Sequence, residues 1–166
     1  MELDEGKRKF IEAWGQLGIN WGTNKTMGMI HALLMISPDP LPADEIMEEL
    51  KISRGNVSNN LKSLMDWDLI SKQCKIGEKR EFYFAEKDVI KIFKSVINHR
   101  KKKELEPMLK VLAEIKDVEG NCDDSNEFCQ MIHNIHHFSI KADKALTNLA
   151  NTESKWIMGT MLKFMS

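Results

Sequence analysis

The sequence predicts a mostly helical fold in which two short helices run directly into a β-hairpin. Three observations predict it. Apolar residues recur at helical spacing along most of the chain. "SPDPLP" (37–42) breaks that rhythm with prolines, which cannot continue a helix. Then "KISRGNVSNNLKSLMDWDLI" (51–70), a second short helix, is followed by two strand-like runs around "GEKR" (77–80). With 166 residues, 42% hydrophobic and 30% charged, the chain has a globular balance and room for a buried core.

The elements follow in order. Residues 4–19 read as an amphipathic helix with Phe10, Trp14 and Leu17 on one face. "NWGTN" interrupts it, and Thr23 or Asn24 is placed to cap a helix at about 24–36. Met27, Ile30, Leu33 and Leu34 mark that helix as buried. Ala43–Leu50 forms a short helix burying Ile46, Met47 and Leu50, with an acidic outer face. A tight connection, Lys51–Ile52, leads to Ser53 as the next N-cap, and Val57, Leu61, Leu64 and Met65 face inward. This is the helix-turn-helix pattern. "LISKQCKI" and "REFYFAE" then form a two-stranded β wing, with Lys79 and Arg80 on its Gly77-containing tip. From Asp88 to about Val118 the chain is helical again, kinked or restarted at Pro107. Its apolar side holds Val89, Phe93, Val96, Leu105, Met108, Leu109, Leu112 and Ile115. "EGNCDDS" reads as a loop, 126–150 as a helix, and about 153–165 as a last short one. The organisation expected is an N-terminal helix (1–22), a winged helix-turn-helix (23–87) and C-terminal helices (88–166).

The start of the second short helix is the unusual stretch. A helix that needed only stability would use alanine, glutamate and lysine there. This one carries Ser53, Arg54, Gly55, Asn56, Ser58, Asn59 and Asn60 within eight positions. In a helix-turn-helix the second helix enters the DNA major groove with its first residues nearest the bases. Arg54 and Lys62 suit phosphate or guanine, and asparagines suit adenine edges. Lys79 and Arg80 are placed to reach a minor groove or phosphate. The DNA-binding set is therefore Ser53, Arg54, Asn56, Ser58, Asn59, Lys62, Lys79 and Arg80. The plainer alternative is a capped, solvated surface helix and a solvated hairpin tip. The formal charge of -1 does not argue against DNA, because the charge is segregated. Residues 51–87 hold eight cations against five anions, a net +3, and 111–130 hold one against six, a net -5.

Other features point elsewhere. Cys129, His133 and His137 share one helix face, with His136 beside them and Cys122 in the preceding loop, a set suited to zinc or copper. No paired Cys-x-x-Cys accompanies them, so surface or interface histidines are the plainer reading, and no cofactor is expected. Cys74, Cys122 and Cys129 are unevenly spaced and do not suggest a disulfide framework. There is no Gly-rich phosphate loop, nucleophile motif or carboxylate pair, which argues against an enzyme. His31, inside an apolar helix, reads as a buried structural histidine. No apolar run approaches the ~20 residues of a membrane span. "MELDEGKRKF" lacks a signal-peptide core, so the expected location is cytoplasmic.

Residues 20–70 resemble the GbsR-like branch of the MarR-type winged-helix transcriptional regulators. The resemblance rests on Trp21-Gly22, Gly28, Ser37-Pro38, Pro40-Leu41, Asp44-Glu45-Ile46 and the run Ile52–Ser58. It continues through "KIGEKREFYFAEKD" and covers roughly residues 10–118. It implies a homodimeric repressor whose terminal helices pack together and hold two winged helices over one pseudo-palindrome of double-stranded DNA. It also implies a small-molecule effector. Related regulators are associated with choline and betaine, and indole faces bind quaternary ammonium well. Among Trp14, Trp21, Trp67 and Trp156, Trp14 and Trp21 are the effector candidates, although tryptophans at helical spacing are more often core. The chain departs from the family in two places. Asp68 stands where a glycine is usual, and the wing reads Gly77-Glu78-Lys79-Arg80 rather than Gly-Asp-Arg-Lys. Two alternatives remain: a winged-helix protein-interaction module, and a metal-responsive regulator.

Overall fold

Two glycines decide how the first helices meet. α1 (Leu3–Asn20) places Asp4 and Glu5 in its first turn, where the helix dipole favours anions. α2 (Lys25–Ile36) is capped by Asn24, whose Oδ1 accepts from the Met27 N–H at 2.8 Å. The two helices cross at Gly15 and Gly28, where a Cβ on Gly28 would lie 2.8 Å from the Trp14 carbonyl oxygen. Backbone meets backbone there, and no side chain fits between. The computed structural model describes residues 1–116 and 123–152. Cys122, Trp156 and the helix expected over 153–165 lie outside the described residues.

α2 is the hub of the first unit, burying Ile30, Ala32, Leu33 and Leu34. β1 (Leu41–Pro42) follows, then α3 (Ala43–Leu50), α4 (Arg54–Asp66), β2 (Ile70–Cys74) and β3 (Glu81–Ala85). Ile46, Val57, Leu61 and Leu64 complete the core with α2. In α3 only Ile46 is fully buried, while Met47 and Leu50 are half-buried.

The expected two-stranded wing is part of a three-stranded antiparallel sheet in the order β1-β3-β2. Leu41 pairs with Tyr83 and Pro42 with Phe82, while Ile70 to Cys74 run against Ala85 to Glu81. "SPDPLP" thus stops α2 and also supplies an edge strand, where a proline's missing donor is tolerated.

Two turns use left-handed backbone. Asp68, with φ 55, closes α4 in the left-handed conformation. The Leu69 N–H donates to the Leu64 carbonyl and the Asp68 N–H to the Met65 carbonyl, the paired bonds of a Schellman cap. Lys51, with φ 53, makes the turn between α3 and α4, donating its N–H to the Met47 carbonyl. A β-carbon in that conformation is strained, so Lys51→Gly should stabilise the protein by about 0.5–1 kcal/mol. Urea denaturation with an unchanged m-value checks this, and a loss of stability would contradict it.

The chain passes from one compact unit, Met1–Ile92, to a second, Phe93–Ser166, inside α5 (Val89–Arg100). Within the first unit α1 packs against α2. In the second unit a π-turn (Lys101–Leu105) precedes α6 (Glu106–Ile115). The Glu106 N–H donates to the Lys101 carbonyl, five residues back. The widened turn comes just before Pro107, which cannot donate to the Lys103 carbonyl and would crowd it in a regular helix. Lys101 ties this turn to α7 (Asp123–Asn151) through Asp143 at 3.1 Å and also meets Glu106 at 3.2 Å. α7 begins inside the stretch expected to be loop, because short polar residues serve a first helical turn as well as they serve a loop. Among the described residues, no helix is long and apolar enough to cross a membrane.

Candidate nucleic-acid interface

α4 has two faces. Val57, Leu61 and Leu64 are buried, while Ser53, Arg54, Asn56, Ser58, Asn59 and Lys62 are exposed. The Ser53 hydroxyl accepts from the Asn56 N–H at 3.4 Å and caps the helix. Arg54 and Lys62 form no ion pair among the described residues, so both charges are open to an external anion.

Asn56 is exposed, yet its amide is engaged. Its Oδ1 accepts from Asn60 Nδ2 at 2.7 Å, and its Nδ2 donates to Thr26 Oγ1 at 3.4 Å. Asn60 is only 4% exposed and also donates to the Asn56 carbonyl at 2.8 Å. Its own Oδ1 accepts from Asn24 Nδ2 at 2.8 Å. A chain of carboxamides therefore links the cap of α2 to the outer face of α4. Sequence reasoning missed Asn60 and Thr26 and saw Asn24 only as a cap. The signal for Asn60 was its position beside Leu61 and one turn from Val57 and Leu64, on the buried side.

The wing separates its two cations. Arg80 Nε donates to Glu78 Oε2 at 2.9 Å, its Nη1 lies 3.5 Å from Asp44 Oδ2, and its guanidinium sits 5.3 Å over the Phe82 ring. Lys75 Nζ lies 4.1 Å from the centre of the same ring. Lys79 is exposed and makes no ion pair among the described residues. Arg80 braces the hairpin, and Lys79 is the open charge. At the turn end of the hairpin ladder, Glu81 accepts from Lys72 Nζ at 2.5 Å and from the Tyr83 hydroxyl at 2.8 Å. Burial, helped by that carboxylate, pushes the Tyr83 pKa up to about 12, so the phenol remains a donor.

The remaining candidates fall elsewhere. Trp14 donates from Nε1 to His31 Nδ1 at 3.3 Å and packs 5.5 Å from Phe10. Trp21 closes α1, and Trp67 closes α4. His31 is buried as expected, and desolvation lowers its pKa to about 4. Cys129 is half-buried on α7, with His133 and His137 exposed along the same helix. Among the described residues, no three His, Cys, Asp or Glu side chains are grouped to hold a metal ion.

Residues 28–72 match the family model for the bacterial regulatory proteins of the arsR family, a stretch that runs from α2 into β2. Over 91 residues the chain is 24% identical to the HTH-type transcriptional repressor GbsR of Bacillus subtilis (strain 168). The chain is thus similar to the GbsR repressor and, from α2 into β2, to the arsR family of regulatory proteins. That match takes in 55% of this GbsR-like chain, which spans about half (50%) of the length of the curated relative. A solved structure described as a transcriptional regulator shares the fold, with a TM-score of 0.69 at 13% identity over 87% of this chain and 95% of its own. The proteins matched are described as a transcriptional repressor and as regulatory proteins, which are non-enzymatic classes.

Proposed function

We propose that this GbsR-like chain is a cytoplasmic, sequence-specific transcriptional repressor that binds a pseudo-palindromic operator as a homodimer. The observation that carries the reading is α4, which turns Arg54, Ser58, Asn59 and Lys62 outward, with both cations uncompensated. Lys79 adds an open charge at the wing, and residues 51–87 are net positive in a chain close to neutral. In this reading residues 23–87 bind DNA, and residues 1–22 and 88–166 serve dimerisation. Support for the dimer comes from α7, where Phe128, Met131, Ile135 and Phe138 are all exposed, Phe138 by 71%. Their alternating spacing of three and four residues is that of a helix seam made for another helix. A small-molecule effector belongs to the reading through the family resemblance alone.

Footprinting on DNA upstream of the protein's own gene tests it. Two protected half-sites should appear, about one helical turn apart. Arg54→Ala should weaken binding by about tenfold, the worth of a hydrogen bond to a charged group. Lys79→Gln should lower the slope of log affinity against log salt by about one, and Arg80→Gln should lower it less, since Arg80 is already paired. No protection at moderate salt, or a strictly monomeric chain in sedimentation, would overturn the proposal. A duplex-blind dimer would instead favour a protein-docking module.

A further inference from the structure

The carboxamide chain between α2 and α4 has a direction. Asn24, Asn60 and Asn56 are joined head to tail, and the direction is set at the Asn24 end. The Met27 N–H belongs to the first turn of α2 and has no partner within the helix, so it needs an oxygen. Asn24 Oδ1 supplies it, which leaves Asn24 Nδ2 to face Asn60. Asn60 must meet that donor with its own oxygen, so its amino group turns towards Asn56. Both Asn60 hydrogens are then used, one on the Asn56 carbonyl and one on Asn56 Oδ1. Reversing any one amide would set donor against donor or acceptor against acceptor, and Asn60, only 4% exposed, has little water to make good the loss.

Resting on the DNA-binding reading, we propose that Asn24 and Asn60 are positioning residues for Asn56. Through them the α2 cap fixes the orientation of the Asn56 amide so that the recognition helix offers DNA a hydrogen-bond donor there. The Asn56 oxygen is occupied from inside the protein. Its Nδ2 holds Thr26 by a long 3.4 Å bond and keeps its second hydrogen for the exposed side. One lone pair of that oxygen is already taken from inside, so the amino group is what the relay holds out to the duplex. The partner is an acceptor on the duplex: a base-edge atom such as guanine O6 or N7 or thymine O4, or a phosphate oxygen.

Asn24→Asp and Asn24→Ser test this, since both residues still cap α2 but cut the donation to Asn60. The probe is the duplex that the unaltered protein enriches from a randomised library. Both variants should melt close to the parent and bind this duplex roughly fivefold to tenfold more weakly, the scale of one lost hydrogen bond. In an Asn56→Ala background neither should weaken binding further, apart from the added charge of Asn24→Asp, because the relay then has nothing left to position. In NMR spectra the Asn60 side-chain amide protons should exchange slowly in the parent and quickly in both variants. A base partner would show as a changed preference at one position per half-site. A phosphate partner would show as an equal loss on every duplex. Unchanged affinity in Asn24→Ser, or losses that add fully to that of Asn56→Ala, would overturn the relay alone. If the unaltered protein enriches no duplex, the DNA-binding reading falls and the proposed donor role falls with it.

Discussion

Replacing Gly28 by alanine should destabilise the protein by about 2–3 kcal/mol, the upper range for overpacking a close contact. The added methyl would meet the Trp14 carbonyl oxygen at 2.8 Å and Gly15 Cα at 2.9 Å. Both are backbone atoms, so α1 must move away from α2 and loosen packing along their crossing. Gly15→Ala should cost less, because its closest obstacle, at 2.7 Å, is Met29 Cγ, which can rotate. Gly6 is a control in the same helix, with nothing within 4 Å of an added Cβ. There the alanine should stabilise by about 0.5–1 kcal/mol through helix propensity alone. Urea midpoints for the three variants should fall in that order. Equal values for Gly28→Ala and Gly6→Ala would show that the helix crossing is not tight.

Acid should remove about 3 kcal/mol of stability through His31 alone, on the scale of 1.36 kcal/mol per pKa unit. The side chain is 4% exposed, its Nδ1 is taken by Trp14, and its Nε2 has no hydrogen-bond partner among the described residues. A proton would charge a ring enclosed by apolar neighbours, and burial lowers the pKa from 6.5 to about 4. Above pH 6.5 the ring is neutral whether the chain is folded or not. Between 6.5 and about 4 only the unfolded chain takes up the proton, so stability falls as the pH falls through that window. Below it both states are charged and the loss is complete. Carboxylates also titrate there, so the readout is the difference between the parent and His31→Leu, each unfolded by urea at pH 7 and pH 4.5. The parent should lose more. Identical losses would mean that His31 is already protonated in the folded protein, or is open to water.

What could be read from the sequence was what depends on near neighbours. The caps Asn24 and Ser53 and the outward face of α4 each involve residues a few positions apart. The hairpin was legible for the same reason. β1 was not, because two residues make a strand only when Tyr83 and Phe82 lie beside them, some forty positions on. Asn60 looked like another polar residue of an unusual helix. Its meaning lies in Asn24, 36 residues earlier. Arg80 likewise looked equivalent to Lys79 until Asp44 of α3 was found beside it. The candidate surface was thus visible as a set of residues, while the state of each one, open or already engaged, depended on contacts distant in sequence.

The π-turn at Lys101–Leu105 carries a consequence for chain length. Each residue of a regular helix advances the wheel by about 100°. A single extra residue absorbed in a widened turn offsets all of α6 by about that angle. Lys102 and Lys103 are exposed there and make no ion pair among the described residues, so they look indifferent to what replaces them. In number they are not. Removing one would leave a regular helix whose downstream half is rotated, swinging Leu112 away from the packing that now buries it.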